Sequence, residues 1–391
     1  MKGALEGIRV LDLSWTLPGP YGSLILADMG ADVIRIEEPH PKVVRGSRET
    51  MGMTESTTAF DMVNRNKRSI GLNLKMEEAR KVFYKLAEKA DVVLESFRPG
   101  VTKRLGVDYE TISKINPRIV YCSVSAYGQD GPYRDKPGWD PNVIATAGVV
   151  HIMGNPDEGR FVLPAVPMAD IGTGGMQAAI GILCALMARE KIGKGQYVDS
   201  AMLDGIVSWV GARHGMRYFG EGVQPKPGER PAHVYKCKDG RYVLVSGFAH
   251  PAFYENTCKA LGLTQWPPHD FVALVEKPSE IVPLFTEAFK KRTRDEWLEI
   301  FSKIDSCVSP VNNLDQAFSD PQVLHRKMLL EIDHPRVGKV RQAGVALKLS
   351  DTPGGFRFFA AMRGQNTEEV LLEAGYSKKD LEEMRKTGAI S

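Results

Sequence analysis

A single charged side chain interrupts the most apolar stretch of this chain. Asp170 is the only charged residue of the segment 166–188, VPMADIGTGGMQAAIGILCALMA, although the whole sequence is 25% charged. Gly172, Gly174 and Gly175 follow closely, and residues without side chains let a substrate approach the carboxylate. A carboxylate in such surroundings can act as the nucleophile of covalent catalysis.

The same position also has a structural interpretation. Asp170 lies where a proline-containing, extended lead-in gives way to a long apolar helix, and aspartate is a common N-cap residue. The helix dipole favours the ionised carboxylate at that end. The sequence therefore predicts an ionised Asp170 at a helix N-terminus, and the structural and catalytic roles are compatible.

The composition excludes several other classes of protein. The 391 residues carry a formal net charge of +3, with no basic stripe of the kind that a nucleic-acid-binding surface needs. Five widely spaced cysteines form no CxxC or Cys/His motif, so we expect reduced thiols, no metal site and a cytoplasmic location. The first residues lack a secretory signal. The apolar run 171–188 is rich in Gly and Ala, which favours a buried helix over a membrane span.

Strand and helix patterns alternate around this segment. GIRVLDLS and GADVIRIEEP predict strands, and PYGSLILADMG between them predicts a helix with Pro20 at its first position. RSIGLNL, DVVLESF, RIVYCSVSAYG and GQYVDSA predict further strands separated by helices. This alternation indicates an α/β fold with a mostly parallel sheet. The glycines of GxGxxG are missing from SWTLPGPYGS, which argues against an NAD-binding oxidoreductase.

A change of composition marks a domain boundary near residue 225. FGEGVQPKPGERPAHVYKC is rich in Pro and Gly, and HVYKCKDGRYVLVSG predicts a hairpin with Asp239 and Gly240 at its turn. We expect a large Rossmann-like domain over 1–224, a smaller α+β domain over 225–325, and a return to the large domain over 326–391.

Six segments together carry a family resemblance over nearly the whole chain. They are LEGIRVLDLSWTLPGPYGSLILADMGADVIRIEEP, NRNKRSIGLNLK, DVVLESFRPGVTKRLGVDYETISKINPRIVYCSVSAYGQDGPY, PMADIGTGGMQAAIGILCALMARE, GKGQYVDSAMLDG and GQNTEEVLLEAGYS. In order and spacing they resemble the class III coenzyme A transferases and α-methylacyl-CoA racemases, the CaiB/BaiF family.

The resemblance implies both an activity and an assembly. The activity is transfer of CoA from an acyl-CoA donor to a carboxylic acid acceptor, with no permanently bound cofactor. Asp170 matches the family's catalytic aspartate, which forms a mixed anhydride and then an aspartyl-CoA thioester. In this family each chain has a Rossmann-like large domain and a small domain, and two such chains interlock. The resemblance therefore implies a homodimer.

One departure separates transferase from racemase. The racemases have a histidine in a GHD pattern, whereas this chain reads GWD, with Trp139 at that position. An indole nitrogen only donates hydrogen bonds and cannot serve as the base. Transfer is therefore favoured, and racemisation by other bases stays the alternative. Asp140 either orients the pocket or Asp170, or caps a loop. A CoA-binding protein without catalysis is a third possibility, distinguished by binding without exchange.

The resemblance also assigns CoA contacts by position. They are Asn73, Lys75, Ser96, Phe97, Arg98 and Arg104. Guanidinium groups pair with phosphate in a fork geometry, which suits the two arginines. Glu38 replaces an arginine common in relatives, Leu17 replaces a glutamine of the formyl-CoA branch, and PKPGERPAH at 225–233 replaces that branch's glycine-rich loop. We expect an acyl group larger or less polar than oxalate, and the sequence does not identify the acids.

Overall fold

The computed structural model describes residues 3–39, 58–223, 232–247, 250–263 and 278–391. The chain divides into two compact units. The first consists of Met1–Pro227 with His325–Ser391, and the second of Gly228–Leu324.

Six strands of the first unit form one parallel sheet. They are β1 (Arg9–Asp12), β2 (Asp32–Glu37), β3 (Lys67–Gly71), β4 (Val92–Glu95), β5 (Val120–Ser125) and β6 (Tyr197–Ala201). Their order is β3-β2-β1-β4-β5-β6, and every neighbouring pair is parallel. The predicted α/β class and parallel sheet are confirmed, and the strand order is that of the doubly wound nucleotide-binding fold.

Alternate residues of these strands enter two separate cores, because successive side chains of a strand point to opposite faces of the sheet. Leu11, Ile34 and Val93 belong to a cluster on one face. Val10 and Val33 belong to the cluster on the other face. Both faces are covered by helices, as an all-parallel sheet requires.

The first unit has eight α-helices before residue 223 among the described residues. They are α1 (Pro18–Asp28), α2 (Glu77–Ala87), α3 (Val101–Leu105), α4 (Tyr109–Ile115), α5 (Asp140–Thr146), α6 (Val149–Met153), α7 (Gln177–Ile192) and α8 (Met202–Gly215), with 3-10 turns at Met62–Asn64 and Pro156–Glu158. The predicted start of α1 at Pro20 was wrong: the helix begins at Pro18, whose ring is already compatible with a first helical turn.

The segment that carries Asp170 is π-helical. It covers Ala169–Met176 and runs directly into α7, and a second π-helical turn, Met216–Gly220, follows α8. By length and composition Ala169–Ile192 would be able to cross a membrane. In the fold it packs on the sheet, since Ala178 and Ile182 are fully buried in the same cluster as Val10 of β1.

The second unit combines a small antiparallel sheet with helices. Its elements are β7 (His233–Lys236), β8 (Tyr242–Ser246), α9 (Pro251–Leu261), α10 (Pro278–Phe289), α11 (Arg294–Phe301), β9 (Cys307–Pro310), α12 (Leu314–Phe318) and α13 (Pro321–His325). Strands β7 and β8 pair as the predicted hairpin, with Gly240 at a positive φ of 79° in the turn, and β9 pairs with β8. Tyr235, Phe289 and Trp297 lie at the centre of its core.

The chain then completes the first unit. It contributes the antiparallel pair β10 (Leu329–His334) and β11 (Gly338–Ala343) and the helices α14 (Thr367–Glu373) and α15 (Lys378–Thr387). The predicted C-terminal helix pair is confirmed, and Val370 and Leu381 pack in the same core cluster as Leu11. The hairpin β10–β11 was not predicted.

Candidate active site

A cavity of about 160 Å³ lies at the carboxyl ends of the central strands. Its walls come from the residues that follow β1, β4 and β5, from the segment before α5, and from Asp170. Strands β1 and β4 are where the strand order reverses, and ligands of open parallel sheets bind in the crevice at that point. The lining residues are Trp15, Thr16, Pro18, Ser96, Phe97, Arg98, Pro99, Val124, Ser125, Ala126, Tyr127, Gly128, Arg134, Lys136, Pro137, Gly138, Trp139, Asp170 and Met202.

The charges around this cavity are unequal. Of the described residues that line it, Asp170 is the only acid, whereas Arg98, Arg134 and Lys136 are cations. None of them is a histidine. The wall therefore suits a polyanion beside one isolated carboxylate.

Asp170 is not the N-cap of its helix, so that prediction was wrong. The preceding Met168 already has helical φ and ψ of −69° and −42°. The cap comes from Asp140, at the start of α5: its Oδ2 accepts hydrogen bonds from the backbone N–H of Ala169 at 2.6 Å and of Asp170 at 3.1 Å. Because Asp140 occupies these donors, the side chain of Asp170 is not needed for capping.

The carboxylate of Asp170 is therefore available to a substrate. The residue is only 9% exposed, yet it lines the cavity. Burial, followed by the negative charge of Asp140, raises the pKa of Asp170 to about 6. This direction is opposite to the one expected from the helix dipole, because the loss of hydration and the second carboxylate disfavour the anion more strongly.

Close backbone packing holds the Asp170 segment against α1. A Cβ atom added to Gly175 would lie 2.9 Å from the carbonyl oxygen of Pro18, and one added to Gly22 would lie 2.9 Å from the carbonyl oxygen of Gly175. A Cβ atom on Gly174 would lie 2.5 Å from the Cβ of Pro18. The glycines that the sequence suggested as space for substrate thus serve helix packing at 174 and 175.

Gly172 has another neighbour. A Cβ atom there would lie 2.2 Å from the indole of Trp209 on α8. It too is occupied by protein, so none of the three glycines next to Asp170 leaves open space for a ligand.

Five of the predicted site residues meet at the cavity. Trp139 is 59% exposed and lines it beside Asp170, and Ser96, Phe97 and Arg98 line it from the end of β4. The hydroxyl of Ser96 is engaged within the protein, since it accepts from the N–H of Trp15 at 3.0 Å and donates to the carbonyl of Trp15 at 3.2 Å.

The other predicted CoA contacts lie outside the cavity lining. Lys75 forms an exposed ion pair with Glu38, with Nζ 2.6 Å from Oε1, so the unusual Glu38 engages a predicted contact directly. The backbone N–H of Asn73 donates to Ala389. Arg104 lies at the edge: its Nη1 is 3.7 Å, and Nη2 of Arg134 is 3.4 Å, from the point where Gly100 would carry a Cβ.

Sequence reasoning missed most of the lining residues, among them Trp15, Thr16, Arg134 and Lys136. The signal for the first two was their position directly after β1. The two cations lie in a long loop after β5, and only the fold brings that loop to the cavity. The ammonium of Lys136 lies 4.4 Å from the ring centre of Tyr133, so the cation also has an aromatic contact.

The described residues contain no group of three His, Cys, Asp or Glu side chains placed to hold a metal ion. The chemistry available at the cavity is therefore that of one isolated carboxylate, three cations and aromatic walls. Such a set can attack a thioester carbonyl and bind phosphate groups. The segment 225–231, in which we expected a cover of the active site, lies outside the described residues.

Comparisons with known proteins show the family of the chain. A family model described as CoA-transferase family III matches residues 5–367. Human succinyl-CoA:glutarate CoA-transferase is 32% identical over 400 residues, which cover 99% of this chain and 90% of that protein. Human alpha-methylacyl-CoA racemase is 31% identical over 384 residues, which cover 97% and 95%. The crystal structure of a CAIB/BAIF family protein from Brucella suis is similar with a TM-score of 0.80 and 29% identity, over 96% of this chain and all of that one. The chain belongs to CoA-transferase family III and is an enzyme of that class.

Proposed function

We propose that the protein moves CoA from an acyl-CoA to a carboxylic acid, with Asp170 as the covalent nucleophile. One observation carries the proposal: the Asp170 carboxylate lines the cavity, is 9% exposed, and has no hydrogen bond to its oxygens from the described part of the chain. A carboxylate that accepts no hydrogen bond from its own protein keeps its lone pairs for attack.

The proposed reaction has four steps. An Asp170 oxygen attacks the donor thioester carbonyl, the C–S bond breaks, and a mixed anhydride and CoA thiolate form. The thiolate attacks the Asp170 carbonyl carbon, which releases the donor acid and leaves an aspartyl-CoA thioester. The acceptor carboxylate attacks the carbonyl carbon of that thioester, the C–S bond breaks, and a second mixed anhydride and CoA thiolate form. The thiolate then takes the acceptor acyl group and restores the carboxylate.

Both intermediates hydrolyse readily, so the reaction depends on limiting access of water. The low exposure of Asp170 and the aromatic walls supplied by Trp15, Phe97 and Trp139 support this part of the proposal. The CoA thiolate must also stay close until it returns. Arg98, Arg134 and Lys136 support this second requirement, because they line the same cavity and carry charge opposite to the phosphates of CoA.

The acids are proposed by chemical class. The similarity to succinyl-CoA:glutarate CoA-transferase and the apolar Leu17 support carboxylic acids longer than oxalate as donor and acceptor. A panel of oxalyl-, succinyl-, glutaryl-, branched-chain and aromatic acyl-CoAs tests this directly. We expect oxalyl-CoA to be the poorest donor, and oxalyl-CoA as the best donor would contradict this choice of acids.

We also propose that the active form is a homodimer. Helices α7 and α8 and the turn after α8 expose large apolar side chains, among them Met187 at 69%, Met216 at 82% and Phe219 at 78%. Large apolar side chains left exposed in the single chain are typical of a surface that binds a partner. A second copy of the chain is the partner that the family resemblance implies.

Substitution of Asp170 tests the catalytic assignment. Asp170→Ala removes the nucleophile, so we expect CoA exchange between acids to fall on the order of a thousandfold or more. Asp157→Ala is the matched control, because Asp157 is exposed and does not line the cavity. Exchange by Asp170→Ala at a rate close to that of the unmodified enzyme would rule out the nucleophile.

Racemisation at C2 is the alternative supported by the similarity to alpha-methylacyl-CoA racemase. It needs a base on each side of C2, and no histidine is among the described residues that line the cavity. In D2O with a single α-methylacyl-CoA and no acceptor acid, a racemase incorporates deuterium at C2. We expect no incorporation.

A further inference from the structure

Thr16 has an unusual backbone conformation. Its φ is +67°, in the left-handed region, and among the described non-glycine residues only Asn66 and Lys327 share a positive φ. A β-branched residue is rarely found there, because its Cβ substituents collide with the backbone. Such strain persists only where surrounding interactions impose it, and it clusters at active sites.

Hydrogen bonds hold the chain on the N-terminal side of Thr16. The backbone N–H of Ser14 donates to Oδ1 of Asp12 at 2.9 Å, and the Ser14 hydroxyl donates to the same oxygen. Trp15 is bound through both its N–H and its carbonyl to the Ser96 hydroxyl at the end of β4. The two residues before Thr16 are therefore attached to the ends of two neighbouring strands.

A buried charge cluster lies behind this loop. Lys67 and Asp12 are both fully buried, with Nζ 3.6 Å from Oδ2. Nζ of Lys67 also donates to the carbonyl of Pro20 at 2.8 Å and to the hydroxyl of Ser23 at 2.7 Å, both in the first turns of α1. Lys67 and Asp12 thus attach α1 to β1 and β3, which leaves little freedom to the chain between β1 and α1.

The start of α1 is also pressed against the loop. A Cβ atom on Gly19 would lie 2.2 Å from the Cβ of Ser14. Thr16 lies in the chain between Ser14 and Gly19, and it lines the cavity together with Trp15 and Pro18. Within this short connection, Thr16 is the residue whose backbone lies in the left-handed region.

We infer that Thr16 is a positioning residue, held in a strained conformation so that the loop 15–18 forms a rigid cavity wall before substrate binds. The inference rests on the proposed function, since the wall concerned is the one beside Asp170. A wall that is ordered in advance need not be ordered on binding, and this lowers the entropic cost of the complex.

Two substitutions separate rigidity from side-chain contact. Thr16→Ala removes the side chain beyond Cβ but keeps the steric restriction, whereas Thr16→Gly removes the restriction as well. We expect Thr16→Ala to keep kcat/KM within about twofold of the unmodified enzyme, and Thr16→Gly to lose about tenfold. Equal losses in both variants, or no loss in Thr16→Gly, would overturn the inference.

Thermal unfolding distinguishes a positioning role from a purely structural one. A purely structural role would lower stability and activity together in Thr16→Gly. Because glycine adopts a positive φ without strain, we expect the Thr16→Gly midpoint to be equal to or above that of the unmodified protein while activity falls. Lys327→Gly is the matched control: it relieves an exposed left-handed residue (φ 53°) away from the cavity, and should leave activity unchanged. A clearly lowered midpoint in Thr16→Gly would show that Thr16 is not strained.

Calorimetric titration with CoA keeps this inference separate from the proposed reaction, because binding needs no turnover. We expect CoA to bind about fivefold more weakly to Thr16→Gly and with unchanged affinity to Thr16→Ala. If the unmodified protein binds CoA but transfers nothing, the proposed function fails while this comparison still decides the role of Thr16. Equal affinity in the two variants would overturn it.

Discussion

Two carboxylates 30 residues apart in sequence share one site. Asp140 accepts the backbone N–H groups that an N-cap residue would otherwise take, and Asp170 keeps a carboxylate free of such bonds. The charge of Asp140, together with burial, then raises the pKa of Asp170. These hydrogen bonds make Asp140 a helix cap, and its role in orienting the pocket stays a prediction.

Asp140→Asn tests the electrostatic part of this coupling. The amide oxygen can still accept the two N–H groups, but the charge is lost, so the pKa of Asp170 should fall. If Asp170 is the nucleophile, attack needs the ionised carboxylate, so we expect activity to be lost as pH drops through about 6 in the unmodified enzyme. We expect the acidic limb of the kcat/KM profile to move to lower pH in the variant.

The comparison with Asp140→Ala isolates the cap itself. This variant leaves two N–H groups without their acceptor, at a cost of about 1 kcal/mol of stability. It should lower both the unfolding midpoint and kcat, whereas Asp140→Asn should largely preserve the midpoint. An acidic limb at the same pH in the unmodified enzyme and in Asp140→Asn would contradict the coupling.

The sequence was sufficient to identify Asp170 as a candidate catalytic residue, but not to predict the contacts that surround it. It singled out Asp170 because one charge in an apolar run is visible without a structure. It did not reveal that Asp140 supplies the cap, because side chains that cap from another element leave no local pattern. The raised pKa of Asp170 follows from the same long-range contact and from burial.

At the scale of elements, the strands were predictable and the contacts between helices were not. All six strands follow from β-branched, apolar runs bounded by turns, and a parallel order follows from the intervening helices. The π-helical turns of Ala169–Met176 have no such signal, since their composition is that of an ordinary apolar helix. Helix α5 and the hairpin β10–β11 were missed as well.

Gly175→Ala should disturb the contact between α1 and the Asp170 segment. Its Cβ would meet the Pro18 carbonyl at 2.9 Å, and a backbone atom cannot turn aside as a side chain can. We expect a loss of about 1–3 kcal/mol in the free energy of unfolding, with reduced kcat, measured by denaturant unfolding and steady-state kinetics.

Gly211→Ala provides the matched control in α8. No atom lies within 4 Å of a Cβ placed there, and alanine favours the helix by about 0.5–1 kcal/mol over glycine. This variant should be at least as stable as the unmodified protein. Equal behaviour of the two variants would contradict the close packing at Gly175.

The buried pair Lys67 and Asp12 gives a second prediction for the elements. Lys67→Met leaves the Asp12 carboxylate buried without its cation, which should cost about 3–5 kcal/mol in the free energy of unfolding. The double variant Asp12→Asn/Lys67→Met carries no buried charge and should recover part of that loss. Chemical denaturation of the two single variants, Asp12→Asn and Lys67→Met, and of the double variant measures these free energies of unfolding. A loss in the double variant equal to the sum of the two single losses would contradict the pairing.

At the scale of the whole molecule, we propose that a second copy of the chain covers the exposed apolar side chains of α7 and α8. We expect light scattering after size exclusion to give twice the chain mass of 43.2 kDa. Phe219→Asp places a charge on a residue that is 78% exposed in the single chain, and should shift the population towards monomer. A monomeric unmodified protein at micromolar concentration would contradict the dimer.

Chemical trapping measures whether the carboxylate at position 170 becomes acylated during turnover, as we propose. Enzyme mixed with acyl-CoA and quenched with hydroxylamine converts an activated carboxyl group into a hydroxamate, which peptide mass spectrometry locates. We predict a hydroxamate at Asp170 that appears only when acyl-CoA is present. A hydroxamate at a different residue, or an actively exchanging enzyme with no modification at Asp170, would contradict it.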